Sequence, residues 1–280
     1  MKSQSLSLLF GLKGARIKAK LARGKPVFGV GLWFPCALVA EMLSRETLDF
    51  LVLDMEHGPW DTASVMDLLV ATAASPVAIV ARPGTLNQSQ IQLLFDIGVD
   101  GLMTAHCDSL AAARRAVALS KYAPLGQRGV GPTRTGAYLR DMYAYLRQAN
   151  DATLLWLQVE QTVPEHELQQ MLRLPGVDAL MIGQCDMASS LGHLTNWDHP
   201  DVLSLIERTV GAARRLGKPF GAPGSRWPGQ LINLITSDIG AMQKGLHLTL
   251  AEWQKREPSQ RRTNGASSPR KPTRRPPIRG

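Results

Sequence analysis

Short apolar runs alternate along the chain with longer stretches in which apolar residues recur every three or four positions. The runs fall at 27–33, 50–53, 77–80, 101–104, 154–159, 179–182, 219–222 and 231–236. Each suits one buried strand and is too short for an ordinary helix. The intervening stretches at 37–43, 62–72, 88–95, 110–119 and 202–216 have helical spacing, and a short helix over 17–21 precedes the first strand. Between the fifth and sixth runs, Val163, Leu168, Met171 and Leu172 mark one face of a helix closed by Pro175-Gly176. Eight strands alternating with helices predict an α/β fold, a (β/α)8 TIM barrel forming one domain over 1–254, rather than a doubly wound sheet. An insertion over 122–150 opens with the glycine-rich PLGQRGVGP and ends in RDMYAYLRQAN, which has helical spacing. The seventh and eighth strands are joined only by PGSRWPGQ, so the barrel is expected to lack one outer helix there.

Beyond 254 the alternation stops. Residues 255–280 are Pro, Arg, Lys, Ser and Gly with almost no apolar positions, which predicts a disordered basic tail. The tail changes the meaning of the net charge. Nine basic and one acidic residue fall within it, so it holds +8 of the net +9 and residues 1–254 carry only +1. A near-neutral domain argues against a nucleic-acid-binding face on the folded part. The three cysteines, Cys36, Cys107 and Cys185, are far apart and odd in number, without zinc-ligand spacing. A reducing cytoplasm is the simplest setting. The apolar patch near the start lacks a small-residue cleavage site, and no run approaches a membrane span, so a soluble cytoplasmic protein is expected.

The polar residues of interest follow the strands directly: Asp54, Glu56 and His57 after the second, Arg82 after the third, Glu160 after the fifth and Asp186 just past the sixth. The fifth and sixth strands and their helix form a right-handed crossover, which brings Glu160 and Asp186 to the same carboxyl edge. Two oxygen ligands suit a hard divalent ion with positions left open for substrate and water. Spacing alone leaves open the plainer alternative of two solvated carboxylates that end strands. A lone histidine after a strand is likewise more often structural than catalytic. A histidine, an arginine and two carboxylates at one rim are harder to explain by packing, because buried charges need partners.

The stretches 48–61 (LDFLVLDMEHGPWD), 77–83 (VAIVARP), 93–103, 122–131 (YAPLGQRGVG), 154–162 and 174–200 together resemble the HpcH/HpaI aldolase family of metal-dependent pyruvate aldolases, in register from about 17 to 216. The resemblance implies that Glu160 and Asp186 hold a divalent cation, Mg, Mn or Co. It implies His57 as general base, with Asp54 in its water network and Asp96 raising its basicity. Arg82 would face the pyruvate carbonyl oxygen, Gln158 would contact substrate, and the backbone of Gly183, Gln184, Cys185 and Asp186 would cradle the carboxylate. The implied reaction is reversible cleavage of a 4-hydroxy-2-oxo acid to pyruvate and an aldehyde through an enolate, in a homo-oligomer with no membrane partner. Two other readings stand beside it. One is the same enolate chemistry on a citryl or malyl thioester, and the other is a degenerate barrel kept as a binding or scaffold protein. The sequence departs from the family's pattern at Gly183-Gln184-Cys185-Asp186, where a proline usually follows the glycine, and at Met103-Thr104-Ala105-His106, where the fourth strand usually ends in proline. Past 216 the match weakens, although Ser237 and Asp238 still resemble the end of the family's last strand.

Overall fold

The apolar runs close into a barrel in a computed structural model that describes residues 10–222 and 227–261. Strands β1 (Val27–Leu32), β2 (Phe50–Met55), β3 (Ala78–Pro83), β4 (Gly101–Thr104), β5 (Leu154–Val159), β6 (Ala179–Ile182), β7 (Phe220–Gly221) and β8 (Ile232–Ser237) pair in sequence order, and β8 pairs with β1. All the pairings are parallel. Helices α1 (Gly14–Leu21), α2 (Ala37–Ser44), α3 (Thr62–Ala71), α4 (Gln88–Ile97), α5 (Leu110–Ser120), α6 (Met142–Ala152), α7 (Glu165–Arg173), α8 (Gln184–Ser190) and α9 (Pro200–Arg215) precede or separate the strands, and α10 (Asp238–Arg261) follows β8. Local sequence sets several helix ends. Asp61 and Ser64 make a reciprocal capping box on α3, and α4 runs from the N-cap Asn87 to Gly98, whose φ of 110° stops it.

Side chains alternate between the barrel interior and the layer under the helices, as the two-residue period of a strand requires. Phe50 and Val52 of β2, Ala78 and Val80 of β3, Leu154 and Trp156 of β5, and Ala179 and Met181 of β6 share the interior cluster. Their neighbours Leu51, Leu53, Ile79, Ala81, Leu155, Leu157, Leu180 and Ile182 join the outer one. Phe50 and Trp156 meet edge to face with ring centroids 5.0 Å apart, so the interior is a packed core rather than a pore. The next residues in those four inward series are Asp54, Arg82, Gln158 and Gly183. The candidate site is therefore the top layer of the core pattern.

Acidic residues at the opposite edge have another task. Asp49, Asp100 and Asp178 stand just before β2, β4 and β6. Each accepts a backbone N–H from the preceding strand or its start: Phe28, Ile79 and Leu155, at 3.2, 2.8 and 2.8 Å. These carboxylates satisfy strand-edge donors and fix register, consistent with a stabilising role for that face of a barrel. Lys121 belongs to the same edge. Its ammonium donates to the carbonyl oxygen and hydroxyl of Thr153 and to the carbonyl of Asn150, at the start of β5. Burial lowers it to about 8. That position keeps it out of any chemistry at the mouth.

Strands β4, β5 and β6 fall where the apolar runs predict. β2 and β3 extend further, because Asp54 pairs with Arg82 and Met55 with Pro83 in the ladder. The eighth strand stands, since it pairs with both β7 and β1. Among the described residues no helix separates β7 from β8, and 223–226 of that link lie outside them. Two helices were not foreseen. α8 begins at Gln184, inside the segment 183–186 expected to cradle the carboxylate. α10 carries regular backbone past the 254/255 boundary as far as Arg261, and residues 262–280 of the expected tail lie outside the described residues. The chain divides into two compact units, Met1–Ile239 with the barrel and Gly240–Gly280 with most of α10. Among the described residues no helix is long and apolar enough to cross a membrane.

Candidate active site

A cavity of about 300 Å³ opens above the barrel core. Its floor and walls include Val52, Met103, Met181 and Leu234, and its polar lining is Asp54, His57, Arg82, Gln158 and the segment 183–186. A second hollow of about 360 Å³ lies between α5 and the turn at 124–127. It holds none of the residues expected to carry chemistry.

Asp54 organises one side of the mouth. Its carboxylate accepts from the backbone N–H groups of Glu56 and His57, both at 3.2 Å, which folds the chain over the end of β2. It also accepts a forked pair from Arg82, Nε to Oδ1 at 3.1 Å and Nη2 to Oδ2 at 2.5 Å. Two parallel charge-assisted bonds fix the plane of the guanidinium. Arg82 Nη1 lies 3.5 Å from Glu56 Oε2. Asp54 is 1% exposed, and the guanidinium is its buried ion-pair partner. The imidazole of His57 is 59% exposed, with Nε2 at 3.9 Å from Glu56 Oε2, free to meet a ligand from the solvent side.

Glu160 organises the other side. It is fully buried and adjoins the cavity lining through the side-chain amide of Gln158. Burial pushes its carboxyl above the ordinary carboxylate range. Hydrogen bonds from the Gln158 side-chain amide and the His106 backbone N–H act in the opposite direction. Its backbone N–H donates to Asp108 Oδ1 at 2.7 Å. Glycine is required at 183, since a Cβ there would stand 2.5 Å from Glu160 Cγ. The end of β6 thus presses against Glu160, and Asp186 follows in the first turn of α8. Gln184, standing where a proline was expected, stiffens this turn by other means: its amide donates to the carbonyl of Trp197 at 2.7 Å. The Cys185 thiol is pushed up by burial and by the neighbouring Asp186 charge.

Eight of the ten residues proposed from sequence line the cavity, and Glu160 touches that lining through Gln158. Asp96 does not join them. It sits near the end of α4, where its carboxylate accepts from Arg128 Nη2 at 3.1 Å and is raised by burial. Three residues given no role in advance belong to the site. His106, two residues past β4, puts Nδ1 at 2.8 Å from Glu160 Oε2 and Nε2 at 2.9 Å from Glu56 Oε1. Glu56 links this histidine to Arg82, and Asp108 holds the backbone of Glu160. The rule that picked out Arg82 and Glu160, a polar residue just past a strand, applied equally to His106.

The donor set suits a divalent ion. His106, Asp108 and Glu160 each bring a ligand atom within 4.8 Å of the others, and Asp108 Oδ2 is buried without a hydrogen-bond partner. Buried oxygens with unused lone pairs are what a hard cation would satisfy.

The profile of the HpcH/HpaI aldolase/citrate lyase family matches residues 30–220. A pyruvate aldolase of Rhizobium etli is 32% identical over 236 residues, which cover 81% of this chain and 93% of that protein. A 4-hydroxy-2-oxo-heptane-1,7-dioate aldolase of Shigella flexneri is 34% identical over 208 residues, 74% of this chain and 77% of that one. Among solved structures, an HpcH/HpaI aldolase/citrate lyase family protein from Burkholderia cenocepacia superposes with a TM-score of 0.80 at 29% identity, covering 86% of this chain and 99% of that one.

Proposed function

The chain belongs to the HpcH/HpaI aldolase/citrate lyase family, and on that premise we propose that its barrel mouth cleaves a 4-hydroxy-2-oxo acid reversibly to pyruvate and an aldehyde. The observation that carries the reading is the forked Arg82–Asp54 pair standing at one rim with the buried carboxylate of Glu160. Glu160 and Asp186 would hold a divalent ion, magnesium, manganese or cobalt. Such an ion supplies Lewis acidity toward the 2-oxo acid.

The protein's own groups divide the remaining work. The guanidinium of Arg82, held in plane by Asp54, donates to the carbonyl oxygen on which negative charge grows. Backbone N–H groups of 183–186 and the amide of Gln158 hold the carboxylate end and fix its orientation. His57, exposed beside the cavity, takes the proton of the C4 hydroxyl. The C3–C4 bond then breaks, its electron pair enters the enolate of pyruvate, the aldehyde leaves, and the enolate takes up a proton at C3 to give pyruvate. In the reverse direction the enolate carbon attacks the aldehyde, and His57 returns the proton to the new hydroxyl. The apolar walls provided by Met103, Met181 and Leu234 limit water at the enolate.

A panel of aldehydes offered with pyruvate and Mn2+, scored by mass spectrometry for carbon–carbon bond formation, tests the reading and identifies the acceptor. Product is expected with at least one aldehyde, with loss on EDTA treatment and recovery on adding Mg2+, Mn2+ or Co2+. Unchanged product formation in EDTA would refute the metal-dependent assignment.

A further inference from the structure

The groups given a chemical role occupy only part of the mouth. Asp54 lies on β2, Arg82 on β3 and Gln158 on β5, and 183–186 follow β6. The same cavity is closed by Gly31 on β1, Trp33 just past it, Ala222 just past β7 and Leu234 on β8. In the closed ring β7, β8 and β1 are neighbours and stand opposite β3, β4 and β5, so these residues form one continuous apolar arc. The arc is held in place from both flanks. A Cβ at residue 31 would stand 2.8 Å from Cζ3 of Trp33, so the glycine makes room for the indole to lie against β1. The buried carboxylate of Asp238 fixes the backbone that carries this indole, accepting from the N–H groups of Trp33 at 3.1 Å and Phe34 at 2.9 Å. On the other flank the β8 ladder slips by one residue against β1 between Leu234 and Thr236. Bulges of this kind re-aim side chains beside active sites.

Charge is distributed to the same effect. Among the described residues of the lining Arg82 is the only lysine or arginine, and its guanidinium is already forked to Asp54. A carboxylate on the far end of an aldehyde would leave water for apolar walls with no cation to receive it, and an unpaired charge there is costly. An apolar tail gains from the same burial. On the reading above, Arg82 and 183–186 hold the oxo-acid half, which leaves the aldehyde half to the arc. We propose that the acceptor is an uncharged aldehyde with an apolar tail, seated against Trp33, Ala222 and Leu234, and that Trp33 and Leu234 determine this specificity. The inference rests on the aldolase reading and deepens it. In the cleavage direction the substrate is then a 4-hydroxy-2-oxo acid with a single carboxylate and a hydrocarbon or aromatic group beyond C4. A cavity of about 300 Å³ is at the small end for ligand sites, which limits that group to a short chain or one ring.

The test compares 4-methylpentanal with 4-oxobutanoate, using the full chain with Mn2+ and pyruvate. The two aldehydes share one shape, with methyl groups in the first where the second has carboxylate oxygens. Each result is read as the ratio of kcat/KM for the two within one protein, so that any change in enolate formation cancels. The wild-type protein is expected to favour 4-methylpentanal by ~10-fold or more, a discrimination within reach of an apolar pocket. Leu234→Arg brings a cation into the arc and is expected to move the ratio toward 4-oxobutanoate by a similar factor. Trp33→Ala is expected to lower kcat/KM for phenylacetaldehyde relative to acetaldehyde, and Trp33→Phe to restore most of the loss. A wild-type ratio near or below one overturns the proposal, as do ratios unmoved in both Leu234→Arg and Trp33→Ala. Deuterium exchange at the pyruvate methyl separates the inference from its basis. Exchange above the metal-only control with 4-oxobutanoate preferred, or with no aldehyde turned over, overturns the acceptor assignment alone. Absence of both exchange and product overturns the aldolase reading and this inference with it.

Discussion

Glu160→Gln is expected to lose divalent-metal binding measured by calorimetry and to lower kcat/KM by ~10³-fold or more, about 4 kcal/mol of transition-state stabilisation. The reason is charge rather than shape. Glutamine has nearly the same volume, so the contact of residue 160 with Gly183 is kept, but a neutral amide oxygen is a weaker ligand for a hard cation. The variant is also expected to fold at least as well as the parent. Burial raises the Glu160 carboxyl, so the buried charge is a liability to the protein in the absence of an ion. A raised or unchanged thermal midpoint with absent metal binding is the signature of a functional carboxylate. A large drop in the midpoint with metal binding intact would mark Glu160 as a structural residue instead.

Arg82→Lys is expected to lower kcat by ~10²–10³-fold, the range found when one charge-stabilising donor is removed from a developing oxyanion. Metal affinity should remain within a factor of a few. Lysine retains the positive charge but cannot make the fork to Asp54 Oδ1 and Oδ2, so the donor aimed at the substrate oxygen loses its fixed direction. The loss should appear in kcat more than in KM, because the interaction strengthens only as charge develops on the oxygen. Paired with Glu160→Gln, it separates the two sides of the mouth. One variant binds no metal, and the other binds metal but turns over slowly. Equal loss of metal in both would mean that Arg82 acts by holding the site together.

The barrel was legible because its alternation is strong. Runs such as 101–104, 154–159 and 179–182 are largely apolar, so their limits match the strands. β2 and β3 were read short because Asp54 and Arg82 interrupt the apolar pattern while their backbones continue the ladder. The same interruption identifies them as the site, the innermost series changing from core to chemistry. Where the pattern carries no period, reading failed. α8 is seven residues long, too short for an amphipathic repeat to show. On α10, Met242, Leu246, Leu248, Leu250 and Trp253 are all exposed, so no buried stripe marks the helix in the sequence. Among the site residues, Arg82, Gln158 and the 183–186 turn follow from strand order. His106 was open to the same rule, two residues past β4, but its left-handed backbone (φ 50°) is not encoded by the residue order. Asp96 was assigned by resemblance to His57, and within this chain its carboxylate is engaged by Arg128.

Enolisation of pyruvate without any aldehyde isolates the step on which the proposed chemistry depends. In deuterated buffer with Mn2+, proton NMR should show the methyl protons of pyruvate exchanging ~10²-fold or more above the metal-only control, the least that a positioned acid–base group supplies. Exchange is expected to fall to the control rate in Glu160→Gln. Exchange no faster than the control in the metal-loaded wild-type protein would contradict an enolate-forming site at this mouth.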